Sequence, residues 1–357
     1  MLKSFKVYNF RCFQAVDLGD LRRINLIVGP NAAGKTALME ALRLGLTGTP
    51  QALFQMNPSR GFFTHLIPPI NREQFESIWN LYFYNMQSDR PILTECVDED
   101  GRKATLKVSY DPKKSVTQVP PASASSSQIA TIVPLVFDRT NFRGQLTVLQ
   151  ATLHTQGPLA GQLNIDTGQE LSPVTDLSLS LQGAPQFAAQ WFSRLSQQNR
   201  EQEVIDAVKR AYGGLISDIV VLSPGQIVAL YAELPHMAEK LPLSLVSAGV
   251  SKFVAVISAI IARADSVILI DEIESGIYFD KFASFWETLL HLSLKYNAQV
   301  FASTHSQECI RSLLAIMKGK ENEFSLLRAE RKNGASGVRP ISGDLFEAAI
   351  EQQFEVR

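Results

Sequence analysis

Residues 29–36 have the types and the spacing that bind phosphate groups. They read GPNAAGKT and match G-x-x-x-x-G-K-[ST] at every fixed position. Glycines let such a loop turn its backbone N–H groups toward an anion, and the helix that follows adds partial positive charge. Lys35 is expected to reach the β- and γ-phosphates of a nucleotide, and the Thr36 hydroxyl is expected to hold Mg²⁺. The residues predicted to bind the nucleotide are Gly29, Asn31, Ala32, Ala33, Gly34, Lys35 and Thr36.

The sequence around this motif supports the phosphate-binding interpretation. Residues 21–28 are predicted to form a buried strand that enters the loop, and residues 36–46 a helix that leaves it. A chance match in a Gly-rich turn is the alternative, but such a turn does not require a strand before it and a helix after it.

Two adjacent acids, Asp271 and Glu272, follow a second apolar run over 266–270. A buried strand there delivers both acids to its carboxyl end, where open α/β sheets bind ligands. Asp271 is expected to bind Mg²⁺, directly or through water, and Glu272 to act as the general base for an attacking water. The alternative is a strand that ends in a solvated acid pair, and the phosphate motif upstream favours the functional interpretation.

His305 follows a third apolar run over 299–303. An imidazole at a strand end beside the two acids can donate a hydrogen bond to a γ-phosphate and so detect it. Thr304 and Ser306 are also good N-cap residues, so the segment is expected to start a helix as well. Both roles are compatible.

Ser247 and Gly249 open the apolar helix predicted over 252–264. A small Ser-x-Gly loop at a helix N-terminus is a second candidate anion site. A simple helix cap is the alternative.

Composition limits the remaining classes of function. The 357 residues are 45% hydrophobic with a net charge of −1, which gives no global electrostatic case for nucleic acid. The three cysteines, Cys12, Cys96 and Cys309, lack the paired spacing of a zinc site or a disulfide framework. No signal peptide or membrane-spanning run is recognisable, so a soluble cytoplasmic protein with no membrane partner is expected.

The order of elements predicts an α/β fold with a mixed sheet and flanking helices. From residue 241 strands and helices alternate, which is typical of parallel β-α-β units. Three segments are expected: 1–100 with the phosphate loop, an inserted strand-rich and helical lobe over 101–240, and 241–357 with the acids and the histidine. A Ser/Pro-rich flexible loop is predicted at 113–128, a strand at 79–85 and a last helix at 343–352.

These motifs, in this order, resemble the ABC-type ATPases of the RecF/SMC/OLD group. The shared series is NFR at 9–11, the phosphate loop, the Ser-x-Gly helix, IDEIESGIY at 270–278 and STHSQE at 303–308. Within that group the chain resembles stand-alone prokaryotic AAA family ATPases with ABC-like architecture, without a Toprim domain or a coiled-coil arm.

The resemblance implies a P-loop NTPase fold of ABC-head type and ATP with Mg²⁺ as ligands. It implies that Arg11 approaches the nucleotide and that 274–277 form a D-loop at a dimer interface. Ser247 and Gly249 would then act across an ATP-dependent homodimer. Asn85 and Gln87 are candidates for the Q-loop. A partner effector (a nuclease or a toxin) and DNA-linked work in repair or phage defence are further implications, with DNA itself a candidate ligand.

Two other functions stay open at this point. One is a nucleotide-gated interaction switch with little or no turnover, and the intact Glu272 argues against it. The other is a nuclease with its own metal site, for which the sequence offers no second acid cluster. ATP versus GTP preference and the role of the inserted lobe are not specified by the residues.

Overall fold

The computed structural model describes most of the chain. It covers residues 1–56, 72–110, 116–118, 130–154, 163–165, 174–176, 184–225, 228–332 and 334–342. The helix predicted over 343–352 lies outside these ranges, as does the 113–128 loop apart from 116–118. No helix within the ranges is long and apolar enough to cross a membrane.

The strands of the described residues form three sheets. In chain order they are β1 (Leu2–Phe10), β2 (Phe13–Leu18), β3 (Ile24–Val28), β4 (Ile92–Asp98), β5 (Lys103–Tyr110), β6 (Val116–Gln118), β7 (Ala130–Thr140), β8 (Leu146–His154), β9 (Leu163–Ile165), β10 (Val174–Asp176), β11 (Asp218–Leu222), β12 (Ala229–Glu233), β13 (Leu241–Pro242), β14 (Val267–Ile270), β15 (Gln299–Ser303), β16 (Phe324–Lys332) and β17 (Ala335–Ser342).

The helices of the described residues flank these sheets. In chain order they are α1 (Lys35–Thr47), α2 (Pro50–Met56), α3 (Arg72–Asn80), α4 (Ala184–Ser196), α5 (Glu201–Tyr212), α6 (Leu243–Val246), α7 (Ala248–Ala262), α8 (Phe282–Lys295) and α9 (Gln307–Met317).

The largely parallel sheet has the spatial order β10-β14-β15-β3-β16-β17. Every residue of β3, β14 and β15 is buried, because helices cover both faces of a parallel sheet. The five strands from β10 to β16 are mutually parallel, and β17 alone runs antiparallel as the partner of β16. The predicted β-α-β units are therefore present. The edge strands β10 and β17 were not predicted.

The antiparallel sheet has the order β2-β1-β4-β5-β7-β8-β9, with β6 paired to β7. The expected segment boundary at residue 100 falls inside the β4–β5 hairpin, whose strands pair from Ile92 with Val108 to Val97 with Lys103. The strand-rich part of the predicted inserted lobe is thus continuous with the N-terminal strands. The segment boundaries themselves stay a prediction.

The aromatic stretch at 79–85 is not the strand that its composition indicates. It begins with the end of α3 and continues through a turn into a 3₁₀ turn, Tyr84–Met86. Trp79 and Tyr82 are buried, and a single bridge pairs Phe83 with Phe10. The stretch is apolar because it fills the core beside the antiparallel sheet, and burial of this kind requires no strand periodicity.

Candidate active site

Three adjacent parallel strands end at one edge of the parallel sheet. The register pairs Ile270 of β14 with Ala302 of β15, and Ser303 of β15 with Ile27 of β3. The residues that follow these strands therefore emerge side by side. The sheet in this way brings the phosphate loop together with the acid pair and the histidine segment, although Thr36 of the loop and Asp271 are 235 residues apart in the chain.

The phosphate loop takes its shape from glycines at two crowded positions. Gly29 has φ of 140°, and a Cβ there would lie 2.1 Å from the carbonyl oxygen of Ala329. Gly34 has φ of 111°, and a Cβ there would lie 2.8 Å from the Phe13 ring. Side chains other than hydrogen are excluded at both positions, which explains the two fixed glycines of the motif.

Helix α1 begins at Lys35, and no side chain of the described chain caps its N-terminus. Helices α7 and α9 differ, since Ser247 accepts from the Val250 N–H and Ser306 accepts from the Cys309 N–H. The first N–H groups of α1 are thereby left for another acceptor, and phosphate is the ligand that suits such an uncapped N-terminus.

The Lys35 ammonium group folds back over the loop. Its Nζ donates to the carbonyl oxygens of Gly29 at 2.8 Å and Pro30 at 2.9 Å. Burial lowers the pKa of Lys35 from its ordinary value, and the carboxylates of Asp271, Glu274 and Glu272 act in the opposite direction. Anionic phosphate in the loop would give this buried cation a better partner than two neutral carbonyl groups.

Thr36 and Asp271 meet where the loop adjoins the acid pair. The Thr36 hydroxyl donates to Asp271 Oδ2 at 2.9 Å. The Ser303 hydroxyl donates to the other oxygen, Oδ1. A hydroxyl and a carboxylate in contact supply the hard oxygen ligands that Mg²⁺ prefers, and the ion takes further ligands from substrate phosphates. The described residues contain no cluster of three or more His, Cys, Asp or Glu that could hold a metal ion without such help.

Glu272 has a left-handed backbone conformation, with φ of 48°. Its N–H donates to the Ser303 hydroxyl at 2.8 Å, and its carbonyl oxygen accepts from the Lys252 ammonium group. A positive φ is unfavourable for glutamate, so these two contacts are needed to maintain the left-handed backbone conformation. The Glu272 side chain is exposed at the strand end.

Lys252 is itself only 6% exposed. Burial lowers its pKa to about 8, while the carboxylates of Glu274, Glu272 and Asp271 counter the shift. Glu274 also contacts the histidine segment, because its Oε1 accepts from the His305 N–H at 2.7 Å. The acid segment and the histidine segment are thus joined by side-chain-to-backbone hydrogen bonds.

A cleft of about 500 Å³ opens above the phosphate loop, a size that suits a nucleotide. The side chains of Asn85, Met86 and Phe83 line one part of it, and the exposed His305 lines another. The other lining residues are Arg11, Cys12, Asn31, Ala32, Gly34, Lys35, Thr36, Ala37 and Leu81.

Arg11 also lines the cleft, and Glu40 of α1 holds it there. Arg11 Nε lies 2.9 Å from Glu40 Oε2, and the guanidinium carbon lies 4.7 Å from the centroid of the Tyr82 ring. Of the Q-loop candidates, Asn85 lines the cleft and Gln87 does not. Of the predicted nucleotide-binding residues, Ala33 is buried in the core beneath the loop rather than in the cleft wall.

The Ser-x-Gly segment packs against the segment that follows Glu272. A Cβ on Gly249 would lie 2.2 Å from the Gly276 carbonyl oxygen, so only glycine allows this approach. Ser247 caps α7, as the simpler interpretation predicted. Beside them, Leu245 is 77% exposed and Tyr278 is 67% exposed. Each of the two segments therefore has a large apolar side chain that faces solvent.

Sequence reasoning missed Ser303, Lys252 and Glu274 as parts of this site. Ser303 is the last residue of β15, Lys252 lies in an apolar helix, and Glu274 was assigned only to an interface loop. A lysine within the apolar run 250–262 is the one signal that marks an unusual position, because lysine is rarely buried without a partner.

Comparisons with known proteins agree with this geometry. The family model described as "AAA domain" matches residues 4–144, and the one described as "AAA domain, putative AbiEii toxin, Type IV TA system" matches residues 165–311. An ATP/GTP phosphatase of Helicobacter pylori is 23% identical over 341 residues, which cover 90% of each chain. An OLD nuclease of Thermus scotoductus is 32% identical over 113 residues, covering 28% of this chain and 21% of the nuclease.

Solved structures with a similar arrangement include heads of SMC proteins. The SMC head bound to the C-terminal winged-helix domain of ScpA has a TM-score of 0.49 at 12% identity, covering 96% of this chain and 98% of the other. The SMC head from Thermotoga maritima has a TM-score of 0.45 at 14% identity, covering 96% and 99%.

The phosphate loop after β3 and the acid pair after β14, two parallel strands separated by β15, define the class: a P-loop ATPase. The chain is similar to the AAA-domain ATPases related to the RecF/SMC/OLD group. The predicted fold class, the resemblance and the ATPase activity are confirmed at that level.

Proposed function

We propose that this chain binds ATP with Mg²⁺ between two copies of itself and that hydrolysis separates the pair. The observation that carries the proposal is the 2.9 Å contact between the Thr36 hydroxyl and Asp271 Oδ2. These residues lie 235 positions apart, and their hydrogen bond lies in an exposed part of the site. Their contact supports a common ligand, Mg²⁺, which would neutralise phosphate charge when bound.

In this proposal each residue of the site has a defined task. The N–H groups at the start of α1 and the Lys35 ammonium group bind the phosphates, with Thr36 and Asp271 as the Mg²⁺ ligands. Glu272 accepts a proton from the attacking water, and His305 detects the γ-phosphate. Arg11, fixed by Glu40, contacts the nucleotide from the cleft wall.

The apolar surface beside the Ser-x-Gly helix supports the second copy. Leu245, Tyr278 and Phe279 are 77%, 67% and 59% exposed. Tyr278 and Phe279 contact each other, and Leu245 belongs to the segment that packs on theirs at Gly249 and Gly276. Exposed apolar side chains on contacting segments are typical of interaction surfaces. The surface includes the Ser247–Gly249 segment, whose role in the proposal is to contact the nucleotide of the partner copy.

A DNA-linked role with a partner effector, in repair or phage defence, completes the proposal. Its support is the OLD nuclease relative and the toxin–antitoxin description of one matching family model. Because the net charge is −1, the proposal assigns any DNA contact to a local patch or to the effector.

The test compares wild type with Glu272→Gln in turnover and in size-exclusion chromatography with ATP and Mg²⁺. Loss of the general base is expected to reduce turnover by about 10²- to 10⁴-fold and leave ATP binding intact, so that the ATP-bound dimer accumulates. Glu287→Gln, on the exposed side of α8, is the matched control and should behave as wild type. The same runs with duplex DNA test the DNA-linked role.

A second variant tests the surface itself. Leu245→Asp should abolish the ATP-dependent dimer of Glu272→Gln, because it places a charge in the apolar contact. Leu294→Asp is the control, since Leu294 is 46% exposed on α8. A Glu272→Gln protein that binds ATP and stays monomeric, or a dimer that tolerates Leu245→Asp, would contradict the dimer model.

A further inference from the structure

Lys252 is a buried cation whose role the sequence motifs do not explain. It lies on α7, is 6% exposed, and donates from Nζ to the backbone carbonyl oxygen of Glu272. A buried lysine is costly unless its charge has a partner. Here the hydrogen-bond partner is the peptide of the residue proposed to activate water.

The backbone of Glu272 is held by hydrogen bonds on both sides of its Cα atom. Ser303 of β15 accepts from its N–H, and Lys252 of α7 donates to its carbonyl. The left-handed φ of 48° has no glycine to make it favourable. When one of the two contacts is lost, the backbone is free to relax toward a more favourable conformation, and the direction of the Glu272 side chain changes with it.

Helix α7 carries Lys252 little more than one turn after its N-terminus. That N-terminus is the Ser247–Gly249 segment, which packs so closely on Gly276 that a Cβ on Gly249 would lie 2.2 Å from its carbonyl oxygen. One rigid helix therefore connects the surface proposed to meet a partner copy with the backbone of Glu272 in its own chain. A small shift of α7, enough to lengthen one hydrogen bond, would break the contact between Lys252 and the Glu272 carbonyl oxygen.

We infer that Lys252 is a positioning residue that fixes the backbone conformation of Glu272. Through Lys252, that conformation depends on the position of α7 in the fold. This inference rests on the proposed function, because it needs Glu272 as the base. Its consequence is that hydrolysis requires α7 to be in place as well as ATP to be bound.

Charge neutralisation alone is the competing explanation for Lys252. Glu274, Glu272 and Asp271 all lie within electrostatic reach of its ammonium group, as does the Cys309 thiol of α9. If Lys252 only balanced these acids, its loss would weaken binding of the anionic nucleotide and the stability of the fold. If Lys252 positions Glu272, its loss lowers kcat and leaves nucleotide binding and fold stability unchanged.

The experiment measures kcat, the Kd for ATP and the thermal unfolding midpoint for three substitutions of Lys252. Lys252→Met, which removes the donor, should lower kcat by about 10- to 100-fold, the cost of a misplacement of roughly 1 Å in a catalytic group. Lys252→Gln keeps a donor without charge, and Lys252→Arg keeps both. The expected order of kcat is Arg above Gln above Met, with the Kd for ATP and the unfolding midpoint unchanged. Lys318→Met, at an exposed position after α9, is the control.

A double-mutant cycle with Glu272→Gln separates positioning from a general structural role. Lys252→Met should not lower the residual single-turnover rate of Glu272→Gln any further, because Lys252 acts through Glu272. The inference is overturned if Lys252→Met turns over like wild type, if its loss of kcat comes with a parallel loss of ATP affinity, or if the two effects add. Normal turnover of Glu272→Gln itself would instead overturn the proposed function.

Discussion

The two halves of the site are built in different ways. The phosphate loop is shaped by its own backbone, through Gly29, Gly34 and the uncapped start of α1. The other half, here called the acid edge, consists of Asp271 and Glu272 after β14. It is shaped by side chains of β15 and α7: Ser303 contacts both acids, and Lys252 contacts Glu272. A backbone-built half can be recognised in a short motif. A half built by side chains depends on contacts between residues 20 to 32 positions apart in the chain.

The largest expected effect on this contrast comes from Gly29→Ala. A Cβ at 2.1 Å from the Ala329 carbonyl oxygen forces backbone to move, and φ of 140° is unfavourable for alanine. We expect the free energy of unfolding to fall by about 3 kcal/mol and ATP binding to be lost. Urea denaturation and equilibrium nucleotide binding measure the two effects.

Gly19→Ala is the matched control for that substitution, because nothing lies within 4 Å of a Cβ at Gly19 and its φ is not positive. It should leave both quantities unchanged. If Gly29→Ala bound ATP normally, the backbone of the loop would not be what shapes that half of the site.

Ser303→Ala should have a smaller effect, confined to the acid edge. It removes the hydroxyl that donates to Asp271 and accepts from the Glu272 N–H. Leaving buried polar groups without a partner costs about 1–3 kcal/mol, so we expect kcat to fall by about tenfold or more. The Kd for Mg²⁺-free ATP should stay at the wild-type value, since the phosphate loop is untouched.

Ser325→Ala in β16 provides the comparison for Ser303→Ala. Ser325 is equally buried, with 0% exposure, and its hydroxyl makes no hydrogen bond to any residue that the structure describes. Its loss should leave kcat as in wild type. A Ser303→Ala enzyme with normal kcat and weakened ATP binding would show that Ser303 supports nucleotide binding and not the acid edge.

Much of the parallel core follows from the sequence. Strongly apolar runs identify β3, β14 and β15, and the alternation with helices predicts that they lie parallel. The strand expected at 79–85 was wrong, because buried aromatic residues in a turn have the same composition as those in a strand. The edge strand β10 has only three residues, too few for a periodic pattern.

The residues of the site also divide into those that the sequence predicted and those that it did not. Lys35, Thr36, Asp271 and His305 were predicted from motif and order, and the sheet brings their segments to one edge. Ser303 and Lys252 were not predicted. A serine at a strand end has no distinguishing local pattern, and a lysine within an apolar helix signals an unusual position without showing which group it contacts. The left-handed φ of Glu272 is also invisible in sequence, because tertiary contacts and not residue type maintain it.

The central claim is that Thr36 and Asp271 hold one Mg²⁺, and a double-mutant cycle of Thr36→Val and Asp271→Asn tests it most directly. ATP turnover is measured against Mg²⁺ concentration for both single variants and for the double variant. We predict that each single change raises the Mg²⁺ requirement and that the double variant is no worse than the more impaired single variant, since both act on one ion. Fully additive effects of the two substitutions would contradict a shared metal site.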